Sequence, residues 1–367
     1  MSDERVQFLI QAAADDLVAS GAETGLQVAV IKDGRVVADV VSGVADPGSG
    51  AAVAGDTLFW AGSTAKGVAA SVAHVLADRG ELDYDMRAAE VWPEFGSHGK
   101  DTVTLRHVLL HTAGVPGLPP DTTVEDLRDW DRMCAVLADA EPWWEPGTRF
   151  GYHAKTFGFL LGEIIRRATG RTISAWLREV VTGPLGIEDD VHFGVPERLL
   201  PRVARQVAAG RPAAVPERGS PLSRAMPRGV LPDAGYANRP DVLTSDIPSE
   251  GSMSARGAAR MYSALLGHAD GIRLVSPGRL TDMAAVTVTG TDQVMGFPAR
   301  WAFGYSPDRP GALSRPGSSF GMVGMNGSAA YADIDSGVAG AVMRNHFAAG
   351  DLATAARIDR IVARLLS

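Results

Sequence analysis

The stretch WAGSTAKGVAASVAHVLADRG, residues 60–80, joins a Ser/Lys pair to a long run of Ala, Val and Leu. Ser63 and Lys66 stand one helical turn apart, and Gly80 supplies a helix stop. A charged amine on such an apolar helix costs free energy unless it has a partner or a task. The stretch therefore predicts a helix over 64–79 whose lysine serves the neighbouring serine.

Ser63 is expected at the N-terminus of this helix, because DTLFWAG before it is typical of a strand or turn. Helix N-termini favour developing negative charge. Residues three apart share a helix face, so Lys66 can reach the Ser63 hydroxyl and activate it as a nucleophile. A second S-x-x-K match, Ser97 to Lys100, lies in a glycine-bearing loop without a helix start, so we expect its lysine to be solvated.

A competing serine motif, G-x-S-x-G, occurs at 317–321, and Asp335 and His346 follow in the order of an α/β-hydrolase triad. That motif needs a strand before the serine and a helix after it. Here MVGMNGSAAYADI follows, which indicates a turn and a strand, and no parallel βαβ pattern is present. We therefore favour Ser63 over Ser319 as the nucleophile.

A Ser/Lys pair needs a third group to carry a proton to the leaving group. The segment EPGTRFGYHAKTFGFLLGEII supplies Tyr152 after a Pro-Gly turn and just before a helix. Tyr236-Ala237-Asn238 is similar in sequence but lies in an irregular Pro- and Arg-rich segment with no helix start. His107 and His111 have a spacing that zinc uses, but the Glu of H-E-x-x-H is absent. We interpret them as structural and expect no metal and no organic cofactor.

The chain order predicts an α+β fold. Two β-branched runs joined at Asp33-Gly34 indicate a hairpin, and 328–345 repeats the pattern near the other end. An amphipathic helix at the N-terminus and a helix at 352–366 flank these strands. The segments predicted to be helical between them are 64–79, 104–111, 123–139, 153–169, 173–181 and 256–267, with a long irregular connection at 195–250.

We therefore expect an antiparallel sheet flanked by N- and C-terminal helices, with a mostly helical inserted domain. The sheet domain is assigned to residues 1–80 and 245–367. The helical domain is assigned to residues 81–244, and the active site is expected between the two.

The motifs occur in the order of a known group. Ser63-Thr64-Ala65-Lys66, LRHVLLHTAG at 105–114, the Tyr152 segment and the late glycine-rich strand resemble class C β-lactamases and family VIII carboxylesterases, which share the penicillin-binding-protein fold. The resemblance covers nearly the whole chain. It implies a serine acyl-enzyme in which Ser63 is the nucleophile, Lys66 the base or electrostatic partner and Tyr152 the general acid/base.

The resemblance also implies an oxyanion hole built from backbone N–H groups. One would come from Ser63 and the other from Met325, when Met322-Val323-Gly324 is aligned with the family's third motif. The aromatic residues before Tyr152 are expected by default to pack in the core, with the wall of an apolar acyl pocket as the functional alternative. The candidate pocket residues are Trp143, Trp144, Phe150, Met322 and Gly324.

Two positions depart from the lactamase pattern. Met322 stands where the family has Lys or His, and it can neither carry charge nor donate a strong hydrogen bond. Ala154 stands where lactamases have Asn, a change that esterase-like members tolerate. We therefore expect no efficient β-lactam hydrolysis.

Composition limits the partners and the compartment. The net charge of −8 argues against nucleic acid, and no run of 18 apolar residues predicts a membrane span. The N-terminus is acidic where a signal peptide is basic, and Cys134 is the only cysteine, so we expect a cytoplasmic protein.

Four of the 35 Lys and Arg residues are Lys, at 32, 66, 100 and 155, and a buried Lys, unlike Arg, can lose its proton.

The sequence thus predicts a carboxylesterase-like serine hydrolase that acts on a small acyl ester or amide. Two alternatives stay open. One is an acyltransferase of the same fold that passes the acyl group to an amine or alcohol. The other is a non-catalytic binding protein, which Met322 and Ala154 favour. The sequence does not indicate an oligomeric state.

Overall fold

A computed structural model describes residues 2–210, 215–311, 315 and 317–366. The helices are α1 Asp3–Ala19, α2 Thr64–Asp78, α3 Ala88–Val91, α4 Leu105–Leu109, α5 Val124–Arg128, α6 Trp130–Asp139, α7 Thr156–Thr169, α8 Ile173–Trp176, α9 Gly183–Leu185, α10 Pro221–Ala225, α11 Ala234–Ala237, α12 Pro240–Leu243, α13 Ala255–Leu265, α14 Pro277–Ala284 and α15 Ala353–Leu366. The strands are β1 Gly25–Lys32, β2 Arg35–Asp46, β3 Ala51–Ala52, β4 Phe59–Trp60, β5 Val191–His192, β6 Val207–Ala208, β7 Ser252–Met253, β8 Val288–Thr291, β9 Pro298–Trp301, β10 Ser319–Val323, β11 Ala329–Asp333, β12 Val338–Arg344 and β13 His346–Phe347.

The central sheet joins the two ends of the chain. Its strand order is β10-β11-β12-β1-β2-β3, and all of its pairings are antiparallel. Asp33 and Gly34 turn the first hairpin with φ angles of 48° and 81°, which a tight Asp-Gly turn requires. Val28 of β1 lies opposite Val342 of β12. The α+β fold and the antiparallel sheet are confirmed.

Helices cover both faces of this sheet. Because strand side chains alternate between faces, Val28 and Val30 pack with α1 and α15, whereas Ala29 and Ile31 belong to the core on the other side. On that side α13 packs on β1 and β12, and α2 packs against β10, α7 and α14. Every residue of α2 from Thr64 to Ala77 is buried. The helix after Ser63 therefore lies between the sheet and the helical part of the chain.

Residues 1–80 and 245–367 supply every strand of the six-stranded sheet, and 81–244 supply α3 to α12. Short strands connect the two parts: β7 pairs with both β4 and β5, and β6 pairs in parallel with β13. The exact domain boundaries stay a prediction. The connection at 195–250, of which 211–214 lie outside the described residues, contains the short helices α10, α11 and α12.

Two expected helices differ from the structure. The segment 123–139 is divided at Asp129, whose side chain accepts a hydrogen bond from the backbone N–H of Arg132 (3.0 Å) and so begins α6. The segment 173–181 begins as α8 and continues as a π-helical turn over Leu177–Thr182. Neither difference moves the helices that carry the candidate site.

Candidate active site

Ser63 lies at the sharp turn from β4 into α2. Gly62 makes this turn with a φ of 50°, and a Cβ there would meet the Trp60 ring at 2.9 Å. The Ser63 carbonyl accepts a hydrogen bond from the backbone N–H of Lys66 (3.0 Å). Because that bond closes one helical turn, Lys66 Nζ lies 3.1 Å from Ser63 Oγ and donates to it.

Lys66 is fully buried, and it also donates a hydrogen bond to the backbone carbonyl of Ser249 (3.0 Å). Burial lowers the pKa of the Lys66 amine to about 7, while the Glu250 carboxylate opposes this shift and the Lys155 ammonium adds to it. At neutral pH a large share of Lys66 is therefore the free amine. An amine 3.1 Å from a hydroxyl is placed to accept its proton.

Tyr152 is fixed from three directions. Its backbone N–H donates to both carboxylate oxygens of Asp292 (3.1 and 3.0 Å), and its ring stacks on Trp301 with 5.6 Å between centroids. Lys66 Nζ lies 5.0 Å from the ring centroid. Burial raises the pKa of the phenol, and the hydrogen bond with the Ser63 side chain only partly offsets that rise. Tyr152 thus keeps its proton at the pH at which Lys66 loses one.

Two buried histidines hold the loop that carries Tyr152. His153 Nδ1 donates to the Gly151 carbonyl (2.7 Å), Nε2 accepts from the Val115 N–H (3.1 Å), and its backbone N–H donates to His111 Nδ1 (3.2 Å). Burial lowers the pKa of His153 to about 4 and that of His111 well below its usual range. Both rings are therefore neutral at pH 7.

A cavity of about 400 Å³ opens beside Ser63. Its described lining is Trp60, Gly62, Ser63, Tyr152, Ala154, Lys155, Met226, Pro232, Glu250, Met295, Phe297, Val323, Gly324, Met325, Ala349, Gly350 and Leu352. A Cβ on Gly324 would lie 2.2 Å from the Ala61 carbonyl oxygen, so only glycine lets the chain after β10 approach the Ser63 turn so closely. The two residues expected to form an oxyanion hole, Ser63 and Met325, line the same cavity.

The remaining candidate pocket residues lie elsewhere. Trp143 and Trp144 pack with Ala225 and Val294 in a separate apolar cluster. Phe150 packs next to Gly290. Met322 is buried, with side-chain carbons 3.3–3.4 Å from the place where a Cβ on Gly67 would stand. Of the five candidates, Gly324 is the one that belongs to the described lining of the cavity.

The second S-x-x-K match requires a correction, because Lys100 is fully buried rather than solvated. Its Nζ donates to the backbone carbonyls of Ser97 (3.0 Å), Ala138 (3.1 Å) and Ala140. The Ser97 hydroxyl donates to the Ala138 carbonyl (2.6 Å). A lysine saturated by three carbonyls joins segments of backbone and has no hydroxyl to activate.

The G-x-S-x-G residues do not assemble. Ser319 begins β10, is fully buried and donates its hydroxyl to the Pro307 carbonyl (2.8 Å). Asp335 pairs with Arg315, and His346 Nδ1 lies 3.4 Å from Thr24 Oγ1. Each group is engaged with a different partner, as expected from the strand that follows the motif.

Tyr236, the alternative tyrosine, and His107, one of the two histidines with zinc-like spacing, also make structural contacts. Contrary to the expectation, a short helix does form at Tyr236, since Asp233 caps α11, and the phenol contacts Lys155 and Glu250. His107 Nδ1 accepts from the Thr104 N–H (3.2 Å) in the cap of α4.

The sequence did not point to four residues that contact Lys66, Lys155 or Tyr152 in the structure, namely Ser249, Glu250, Asp292 and Trp301. Lys155, which pairs with Glu250, is one of only four lysines in the chain, and this scarcity was the one sequence signal that pointed to it.

Comparison with solved structures shows the same fold in a family VIII carboxylesterase (31% identity, TM-score 0.88, 98% of this chain and 97% of that one) and in a penicillin-binding protein homologue from Caulobacter crescentus (33% identity, TM-score 0.87, 98% and 97%). The chain belongs to the Beta-lactamase family, whose model matches residues 10–364. It is 35% identical over 338 residues to the esterase/beta-lactamase LipL of Mycobacterium tuberculosis, covering 88% of this chain and 77% of LipL. It is thus a hydrolase of the β-lactamase and esterase family. No described helix is both long enough and apolar enough to cross a membrane.

Proposed function

We propose that this protein is a carboxylesterase-like serine hydrolase that forms an acyl-enzyme on Ser63 with small ester or amide substrates. The observation that carries the proposal is the 3.1 Å contact between Ser63 Oγ and the buried Lys66 amine, at the wall of an apolar cavity. The cytoplasm is the proposed compartment, because Cys134, the only cysteine, is a free thiol.

The opposite pKa shifts of Lys66 and Tyr152 suggest their roles. The Lys66 amine takes the Ser63 proton while Oγ attacks the acyl carbon, and the N–H groups of Ser63 and Met325 hold the resulting oxyanion. As the tetrahedral intermediate collapses, the Tyr152 phenol gives its proton to the leaving alkoxide. The Lys66 ammonium then returns a proton to Tyr152. Water repeats the sequence on the acyl-enzyme and releases the acid.

The cavity favours an uncharged acyl group. Its walls are largely apolar, and Ala154 offers no side-chain hydrogen bond. Lys155 is a cation on the wall, but its charge is paired with Glu250. Met322 packs against α2. With no free cation at these positions to hold a carboxylate, we expect nitrocefin to turn over far more slowly than p-nitrophenyl butyrate, which parallel rate measurements would show.

Intact-protein mass spectrometry tests the proposal. Wild type, Ser63→Ala and Ser319→Ala are incubated briefly with p-nitrophenyl acetate or butyrate. An acyl adduct that is lost only in Ser63→Ala is expected, and an adduct lost only in Ser319→Ala would overturn the site. If all three proteins show neither adduct nor turnover, the chain is better described as a binding protein.

A second experiment identifies the molecule that accepts the acyl group from Ser63, which is either water or an added alcohol or amine. The same incubation is repeated with added alcohol or amine acceptors, and the products are quantified by chromatography. Hydrolysis is expected to dominate at modest acceptor concentration. A transferred acyl product that outcompetes the free acid would identify the protein as an acyltransferase.

A further inference from the structure

Three polar residues that the proton steps do not use form a cluster at the wall of the Ser63 cavity. Lys155 Nζ pairs with Glu250 Oε1 and donates to Tyr236 Oη (3.0 Å), and Tyr236 Oη donates to Glu250 Oε2 (3.1 Å). The side chains of Lys155 and Glu250 are only 2% and 11% exposed. A buried ion pair is expensive to desolvate and is weak evidence for a stabilising role. Its presence here calls for another function.

The Lys155–Glu250 pair connects the two groups that move the proton. Lys155 follows Tyr152 by three residues and immediately precedes α7. Its carbonyl accepts from the Ser249 hydroxyl (3.0 Å), and the Ser249 carbonyl in turn accepts from Lys66 Nζ (3.0 Å). Residues 249 and 250 are therefore held to Lys155 through both backbone and side chain. The loop of Tyr152 and the acceptor that orients Lys66 are joined at this point.

The pair also places opposite charges near Lys66. The Glu250 carboxylate raises the pKa of Lys66, and the Lys155 ammonium lowers it. In the part of the chain that the structure describes, the other titratable groups that face Lys66 are Tyr152 and His111. Both are neutral at pH 7, because burial raises the pKa of the first and lowers that of the second. Asp292 lies behind the Tyr152 backbone. Among the described residues, Lys155 and Glu250 are thus the charges that act on Lys66 directly.

We propose that Lys155 and Glu250 are positioning residues for the reaction: the pair holds the Ser249 carbonyl and the Tyr152 loop around Lys66 and places two opposite charges beside its amine. This inference rests on the proposed function, since it requires Lys66 to act as the base. It assigns a role to two residues outside the Ser63, Lys66 and Tyr152 set.

The test compares pH profiles of kcat/KM for p-nitrophenyl butyrate in wild type, Lys155→Met, Glu250→Gln and the double variant. Without Lys155 the unbalanced carboxylate stabilises the Lys66 ammonium, so the acidic limb moves to higher pH. Without the Glu250 charge the limb moves to lower pH. Each shift is expected to change the relative rate on the limb by about 3- to 10-fold. The double variant returns toward the wild-type limb.

Tyr236→Phe is the matched control, because it removes a hydrogen bond from the cluster and leaves both charges in place. Its limb is expected to stay at the wild-type pH. If Lys155→Met does not fold, the comparison of Glu250→Gln with Tyr236→Phe still tests the inference. The acidic limb of kcat/KM should move to lower pH in Glu250→Gln and stay in place in Tyr236→Phe. Limbs that coincide in all variants, or that move in the same direction, overturn the inference. A wild type without any acidic limb or acyl adduct contradicts the proposed function instead.

Discussion

Two S-x-x-K sequences in this chain end in a fully buried lysine, yet the lysines have different partners. Lys100 donates to three backbone carbonyls, which match the three donors of an ammonium group. Lys66 has the Ser63 hydroxyl and the Ser249 carbonyl as its hydrogen-bond partners among the described residues. The ammonium form is fully satisfied at Lys100 and not at Lys66. Burial is therefore common to both lysines, and the number of hydrogen-bond acceptors distinguishes them.

The backbone explains why only one serine meets its lysine. Ser63 precedes a regular helix, so the side chain three residues later lies above it. Ser97 has a ψ of 161° and His98 a left-handed φ of 56°, so the chain leaves the helical path between Ser97 and Lys100. The Ser97 hydroxyl bonds to Ala138 instead. The same S-x-x-K pattern thus gives a candidate catalytic pair at Ser63 and Lys66, and a lysine that cross-links backbone segments at Lys100.

The largest expected contrast is in activity. Lys66→Met should lower kcat/KM for p-nitrophenyl butyrate by about 10³-fold, because the proposed base is lost. Lys66→Arg should be equally inactive, since Arg stays protonated. For Lys100→Met, the kcat/KM of the folded protein should remain within about 3-fold of the wild-type value, because Lys100 lies outside the proposed proton path. Comparable losses in both Met variants would remove the distinction between the two motifs.

Stability should show the opposite order. Lys100→Met leaves three carbonyls without their donor and should lower the free energy of unfolding by about 3 kcal/mol. The folded pKa of Lys66, about 7, lies below its usual value of 10.5, so at pH 7 the unfolded state binds more protons and folding is penalised. Lys66→Met removes this penalty, which is about 4 kcal/mol at pH 7, but leaves the Ser249 carbonyl without its donor at a cost of about 2 kcal/mol. The free energy of unfolding should therefore rise by about 2 kcal/mol. Urea titrations at pH 7 measure both changes. Destabilisation by Lys66→Met would argue against a lowered pKa of Lys66 in the folded protein.

The pH profile of the reaction should report Lys66. Its pKa of about 7 predicts that kcat/KM falls about tenfold per pH unit below that value, because the ammonium cannot accept the Ser63 proton. Lys100→Met should keep the same acidic limb, provided that the folded fraction is measured at each pH. A wild-type rate that stays level down to about pH 5 would exclude Lys66 as the base.

The smallest contrast concerns acid stability around the two motifs. The folded pKa of His153, about 4, lies below the unfolded value of 6.5, so its contribution is complete above pH 6.5 and is lost as the pH falls toward 4. His153 alone should account for about 2 kcal/mol of lost unfolding free energy between pH 7 and pH 5. His153→Gln should flatten that slope. His98→Gln, at an exposed position of the Ser97 loop, serves as the surface control.

Local sequence determined several elements of this protein. Asp33-Gly34 between β-branched runs gave the hairpin, and three-residue spacing at a helix start was enough to place Lys66 beside Ser63. These signals work because turn chemistry and helical periodicity act over a few residues. The same reasoning failed for Lys100, whose burial depends on a segment 38 positions away.

Tertiary structure alone decided the environment of the site. The carbonyl that orients Lys66 comes from 183 positions away, the carboxylate behind Tyr152 from 140, and the partner of Lys155 from 95. Burial and nearby charges shift the pKa of a buried lysine, and at Lys66 both arise from segments that no local pattern brings together. The sequence nominates Ser63, Lys66 and Tyr152 as candidates, and the fold provides the burial that shifts the pKa values of Lys66 and Tyr152 in opposite directions.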